Sequence, residues 1–391
     1  MCGRPITAGS APSERVPNSR HEKTCLCENK RFRTGIAIAT AKPTRAEMIT
    51  ATPNRHFANP TLRRWSRRAF LSGSAPCPSA SRDGWIRLSR RAMACSFEVT
   101  LASEDASGLP VARAALDSVD RVEDQLTIFR DTSAVAEINR RAALEPVAID
   151  RALFDLLREC TDIHQATGGA FDITSTPLSR TWGFLQRQGQ LPSPQAIDAA
   201  RMDVGLDAVL LDQNSLTVRF TRTGVELNLG AIGKGFALDR AGADLRAAGM
   251  THALLSAGRS SLLAVGGRDG GWWIDVISPN TDRPLAEVRL HDAALGTSGA
   301  GQQFVDVEGV RYGHIIDPRS GWPAAGILSS TVIADGAATA DALSTAFFIG
   351  GAALAREYCA SHSDVMAIIT PEGQRTPIVI GHHPGARLEI A

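Results

Sequence analysis

The sequence predicts an α+β fold, and three observations carry that prediction. Short apolar runs with strand-type alternation are separated by Gly, Asn and Pro, the texture of an antiparallel sheet with turns. Longer stretches place apolar residues at three-to-four spacing, as amphipathic helices do. The two kinds of run occur in mixed order, without the regular strand-helix alternation of a doubly wound sheet, so the helices are inserted into an antiparallel sheet. With 391 residues and 43% hydrophobic content, the chain can bury a large core. No repeat of fixed period interrupts it.

The elements begin after a leader. Residues 1–91 hold 18 Lys plus Arg against 5 Asp plus Glu, a balance of +13, and the rest carries −12 within a net charge of +1. Ser, Pro, Thr and Asn dominate that first stretch, so residues 1–85 are expected as a basic, disordered leader and 86–391 as the folded domain. Four of the seven cysteines (Cys2, Cys25, Cys27 and Cys77) lie in it, and Met48 and Met93 offer alternative starts. SRRAFL at 66–71 resembles a twin-arginine export signal, which points to the cell envelope or periplasm. The polar SGSAPCPSASRDGW that follows lacks the apolar region of roughly 7 to 15 residues that export needs, so a cytoplasmic location stays open. No other segment reaches the roughly 18 apolar residues of a membrane span, and membrane association is expected only through the leader or a partner. The acidic folded part is not expected to bind nucleic acid. Cys95, Cys160 and Cys359 lie far apart without CxxC spacing, which signals neither zinc nor a disulfide framework.

From about Ile86 the pattern is that of ordered protein. SFEVTL at 96–101 alternates as a half-buried strand does. Leu116, Val119, Val122, Leu126 and Phe129 mark a helix over 111–129, with Pro110 suited to its first turn and Phe129 at its end. Leu153, Leu157, Cys160 and Ile163 mark a second over 150–167, stopped by Gly168 and Gly169. VELNLG at 225–230 reads as a strand leading through AIGKG into an Ala-rich helix that ends near Gly249. ALLSAG, SLLAVG, WWIDVI and AEVRLH follow as short strands. STVIAD is a further strand, 338–348 and 352–359 are helices, and VMAIIT is the final strand.

Three stretches carry chemistry. In DALST at 341–345 a helix puts Asp341 and Thr345 on one face, where two hard oxygens suit Mg²⁺; an Asp in that place equally suits a helix cap. NLGAIGKG at 228–235 combines glycines, a lysine and a helix start, but it lacks the spacing and the Ser or Thr of a P-loop. What remains is a helix N-terminus with Lys234 as a point charge for phosphate, or a tight strand-to-helix turn. RYGHIIDPRSG at 311–321 offers His314 as a base titrating near neutrality or as a structural histidine, and its DPRSG reads as a turn.

Seven motifs taken in order resemble the ApbE family, the FAD:protein FMN transferases: AMACSFEV (92–99), LTIFRDTSAVAEIN (126–139), TGGAFDITSTPLSRTWGF (167–184), NLGAIGKGFALD (228–239), TSG (297–299), HIIDPRSG (314–321) and ADALSTAFF (340–348). The resemblance covers about Arg91 to the C-terminus. It implies one large, T-fold-like domain of antiparallel sheet with inserted helices. It also implies Mg²⁺-dependent transfer of FMN from FAD, the substrate, to a Ser or Thr of an acceptor flavoprotein, with release of AMP. By resemblance Asp341 and Thr345 are Mg²⁺ ligands, completed by oxygens of Ala231 and Ser344. Met93 and Phe129 would contact the flavin, and Ala170, Phe171 and Asp172 would line the FAD pocket. Asn228, Lys234 and Ile315 would hold the rest of the dinucleotide, and His314 becomes the candidate base. Catalysis would fall to His314, Lys234 and Asp341.

The residue chemistry is consistent with this. Nucleotide transfer needs charge neutralisation at phosphate and a hydroxyl that loses its proton, and no enzyme nucleophile. Three departures from the family pattern stand out: Asn228 replaces Asp, Gly258-Arg259-Ser260 replaces GGD, and Ser320 replaces Thr. The alternatives to transfer are hydrolysis of FAD to FMN and AMP, and FAD binding without turnover.

Overall fold

A computed structural model describes residues 34–36 and 84–390, apart from 268–269, 279–283, 300–303, 308 and 375. The remainder of the leader, with the twin-arginine-like motif, lies outside the described residues. The strands are β1 (Thr34–Ile36), β2 (Trp85–Ala92), β3 (Cys95–Ala102), β4 (Val147–Ala148), β5 (Val209–Asp212), β6 (Thr217–Phe220), β7 (Ala253–Ala257), β8 (Ser261–Val265) and β9 (Trp272–Ile277). They continue as β10 (Pro284–Leu290), β11 (Ala294–Gly299), β12 (Phe304–Val307), β13 (Val310–Gly313), β14 (Ile327–Ala334), β15 (Met366–Pro371), β16 (Ile378–Gly381) and β17 (Ala386–Ile390). The helices are α1 (Leu109–Leu126), α2 (Ala134–Arg141), α3 (Arg151–Ala166), α4 (Thr176–Thr181), α5 (Pro194–Arg201), α6 (Gly233–Ala247) and α7 (Ala337–Ser361).

Eight antiparallel strands form the central sheet in the order β16-β15-β14-β11-β8-β7-β3-β2. Apolar runs such as 262–265 in β8 and 332–334 in β14 occur where both faces of the sheet are covered. Leu255, Leu263 and Val332 face the core shared with the helices, whereas Leu254, Leu262 and Ile333 face a second cluster under β9 and β10. The helices α6 and α7 pack on the first face, with α1 against α6. A third cluster, around Trp182, Phe184 and Ile316, sits under the β12–β13 hairpin. This is the predicted α+β architecture.

Several boundaries differ from the sequence expectation. The helix expected over 111–129 ends at Leu126, because Thr127 leaves helical geometry, so Phe129 lies beyond it. The strand expected over 225–230 is not formed: the segment has no regular structure, and the Asn228 N–H bonds to the Ile173 carbonyl of a loop at 2.7 Å. Instead the Asn139 amide plays the neighbouring peptide, accepting the Leu227 N–H at 2.7 Å and donating to its carbonyl at 2.9 Å. The two helices expected over 338–348 and 352–359 join into α7 across a kink at Gly351, whose φ is 65°. At 25 residues α7 is long and apolar enough to cross a membrane, contrary to the expectation that no such segment exists, yet here it is the central core helix.

Candidate active site

The site grows from the crossing of two helix starts. At Gly235 in the first turn of α6, an added Cβ would lie 2.0 Å from the Ala337 carbonyl oxygen, so glycine is required by close approach. Each helix then caps the other. Asp239 of α6 accepts the Ala337 and Ala338 N–H groups, both at 2.8 Å, and Asp341 of α7 accepts the Gly235 N–H at 2.8 Å. Asp341 is therefore a cap, but of α6 and not of its own helix, which begins after Gly336. Burial pushes both carboxyls up, Asp239 to about 6, and Lys234 and the Ser261 hydroxyl oppose the rise at Asp341.

Around Asp341, which is 4% exposed, hydroxyls converge. Ser261 Oγ donates to its two oxygens, at 2.7 and 2.9 Å. Lys234 Nζ donates to Ser260 Oγ at 2.8 Å and Ser261 Oγ at 2.9 Å. One turn along α7, Ser344 and Thr345 stand 2.9 and 3.1 Å from Ser298 Oγ on β11. Both also return a hydrogen bond to the Asp341 carbonyl. Close packing sets this spacing: a Cβ on Gly296 would lie 2.5 Å from the Ala340 carbonyl carbon.

These groups open onto a cleft of about 480 Å³. Ala231, Asp341, Ser344, Thr345, Lys234, Asn228, Phe129, Ala170, Phe171, Asp172, His314 and Ile315 all line it, so the structure brings together nearly every residue singled out from sequence. Met93 does not line it. Met93 and Ala94 form the β2–β3 turn with φ of 46° and 60°, Ala94 faces the cleft, and Met93 packs against the core. Asp172 has its carboxylate already committed: Oδ1 accepts the Thr174 N–H and hydroxyl, Oδ2 accepts the Leu206 N–H at 3.2 Å, and His164 lies 3.4 Å away. Its place in the lining is structural. Asn228 Oδ1 accepts the Gly230 N–H at 2.9 Å, an Asx turn into α6 that either Asn or Asp could make. Asp317 binds Arg319 at 2.9 Å and closes the DPRSG turn, as the turn reading expects.

Sequence reasoning missed Ser260, Ser261, Ser298 and Asp239. Ser298 and Asp239 stood inside quoted motifs, and Ser260 was noted only as a departure from the family pattern, each without a role; Ser260 closes the β7–β8 turn and Ser261 opens β8. Arg259 has a φ of 69°, so the place where the family pattern has glycine does require the left-handed region; its side chain is exposed and outside the lining.

The donors suit Mg²⁺. One carboxylate, two hydroxyls and the Ala231 turn are hard oxygens, and Mg²⁺ typically takes one or two carboxylates beside waters and substrate phosphate. Among the described residues no three His, Cys, Asp or Glu side chains converge, unlike a zinc centre.

Fold and cleft together define an α+β protein whose basic helix start and oxygen-rich corner suit a phosphorylated ligand. The particular family follows from comparison: the ApbE family model matches residues 93–369, and the chain belongs to the ApbE family. It is similar to the FAD:protein FMN transferase of Treponema pallidum, 33% identical over 271 residues covering 63% of this chain and 75% of that protein. That of Vibrio cholerae is 29% identical over 239 residues, covering 60% and 71%. The crystal structure of the ApbE protein of Thermotoga maritima superposes with a TM-score of 0.68 at 30% identity, covering 75% of this chain and 96% of that one. The flavin transferase ApbE of Vibrio cholerae, at 24% identity and a TM-score of 0.64 over 76% and 97% of the two chains, shows the same fold.

Proposed function

We propose that this chain transfers FMN from FAD to a Ser or Thr hydroxyl of an acceptor protein, releasing AMP, and that residues 86–391 carry the reaction. The observation that carries this reading is the convergence of Lys234, Asp341, Ser344, Thr345 and His314 on one cleft. Membership of a family whose relatives bear the name FAD:protein FMN transferase supports it.

Asp341, Ser344, Thr345 and Ala231 would hold Mg²⁺, which when bound supplies charge neutralisation at a phosphate oxygen. Lys234 holds its ammonium at the α6 start and binds the pyrophosphate from the other side. The exposed Phe129 ring would give the flavin apolar contact, and Ile315 would help hold the rest of the dinucleotide. His314 accepts the proton of the acceptor hydroxyl as its oxygen bonds to the FMN phosphorus. The P–O bond to AMP breaks, and AMP leaves with the electron pair.

Incubation with FAD, Mg²⁺ and a Ser/Thr-bearing acceptor tests this by mass analysis. An adduct of FMN mass with free AMP is expected. Free FMN with AMP and no adduct would turn the reading to hydrolysis, and bound FAD without cleavage would overturn catalysis.

A further inference from the structure

We propose that Ser261 is a positioning residue that keeps Lys234 and Asp341 apart, reserving the carboxylate for a divalent cation and the ammonium for phosphate. The inference rests on Asp341 as a metal ligand. Lys234 Nζ lies 3.8 Å from Asp341 Oδ2, within ion-pair range yet beyond a hydrogen bond. The Ser261 oxygen bridges them from one side, 2.9 Å from the ammonium and 2.7 and 2.9 Å from the two carboxylate oxygens, so each charge bonds to the hydroxyl and not to the other. A hydroxyl has one proton, which goes to Asp341, and its lone pair receives Lys234.

This bridge is fixed. Ser261 is fully buried, and as the first residue of β8 it pairs with Ala257 on one side and Gly296 on the other. It is not part of the cleft lining, so it acts through its two neighbours. Lysine, by contrast, is a point charge on a flexible stem. With the hydroxyl gone, the ammonium closes on the carboxylate to the roughly 2.8 Å of a charge-assisted bond. It then occupies oxygen lone pairs that a cation needs and withdraws from the cleft. Ser260, at 2.8 Å from Nζ, is its second tether, whereas Ser261 alone of the two donates to the Asp341 carboxylate.

The test is Mn²⁺ binding to the full chain without FAD, read by the loss of the free-ion signal in electron paramagnetic resonance. Mn²⁺ stands in for Mg²⁺ at carboxylate and hydroxyl oxygen. Ser261→Ala is expected to weaken Mn²⁺ about ten- to a hundredfold, in the range of outer-shell losses at metal sites. Ser261→Thr, which keeps the hydroxyl, restores binding. Lys234→Met then tightens Mn²⁺ more in the Ser261→Ala background than in the wild type, a coupling that a cavity or local strain would not produce. Ser261→Cys, near-isosteric with a weakly bonding sulfur, gives a second measure of the same loss. Wild-type Mn²⁺ affinity in a Ser261→Ala protein that melts normally, or the absence of coupling to Lys234, overturns the proposal. Asp341→Ala separates the levels: if it leaves Mn²⁺ binding intact, the metal reading falls with the inference. If only Asp341→Ala loses binding, the positioning role alone falls.

Discussion

The two ends of the cleft are built in opposite ways. At the corner of Asp341 the polar side chains are buried and tied to other elements: the carboxylate to α6 and β8, Ser344 and Thr345 to β11, and Asp239 back to α7. At the other end Phe129 is 77% exposed, and Ala94 and Arg187 are exposed at positive φ, 60° and 54°. The carboxylates make the same contrast. The oxygens of Asp172 are taken up by the Thr174 and Leu206 peptides, whereas Asp341 sits where a helix start, a lysine and three hydroxyl-bearing residues meet. On the function proposed above, the preformed corner would carry the phosphate chemistry and the open end would take the flavin and the acceptor.

The largest break in that comparison is Asp341→Ala. It removes the carboxylate beside Lys234, Ser344 and Thr345, and FAD-dependent AMP release in Mg²⁺ is expected to fall by about three orders of magnitude. The protein should still fold, losing about 1 kcal/mol with the α6 cap. Gly235→Ala attacks the same corner through packing: the Cβ would lie 2.0 Å from a backbone oxygen. Two helix starts must separate, and chemical denaturation should show a loss of about 3 kcal/mol.

Asp239 sharpens the comparison through pH. Its folded carboxyl titrates at about 6, and an unfolded Asp near 3.9. Between these values the folded state binds more protons, so this contribution to stability falls as pH rises from about 4 to about 6. Asp239→Asn, which cannot ionise, should flatten that slope in denaturant melts and lose one of the two N–H bonds.

At the open end, effects should be smaller and fall on binding. Phe129→Ala should change stability by less than about 0.5 kcal/mol, because the ring is exposed. The KM for FAD should rise about fivefold through lost contact with the flavin. Arg259→Gly, just outside the corner, relieves a φ of 69° and should raise stability by about 0.5 to 1 kcal/mol in thermal melts. A loss on that substitution would show that the arginine side chain holds the turn.

The outcome of the sequence reading varies from element to element for physical reasons. The helices α1 and α3 were legible because a core-facing stripe at helical spacing is a local signal. The strand expected over 225–230 failed because its apolar pattern is real but its partners are a side chain, Asn139, from 88 residues away and the carbonyl of Ile173 in a loop, not a strand. DALST and GKG were legible as motifs, and their lysine, carboxylate and hydroxyls do share a cleft. Ser260 and Ser261 were not, since a serine after a hairpin turn is common and only contact with Lys234 and Asp341 distinguishes them.

The sequence by itself determined the α+β class, the order of the central strands along the chain, the helix stripes and the set of chemical groups. These depend on spacing and residue type alone. Only the tertiary structure decided that Asp341 caps α6 instead of α7, that Asp172 reaches the Leu206 N–H, and that a buried serine bridges lysine and carboxylate. Each of these is a distance of about 3 Å between residues far apart in sequence, set by how closely α6, α7 and the sheet pack.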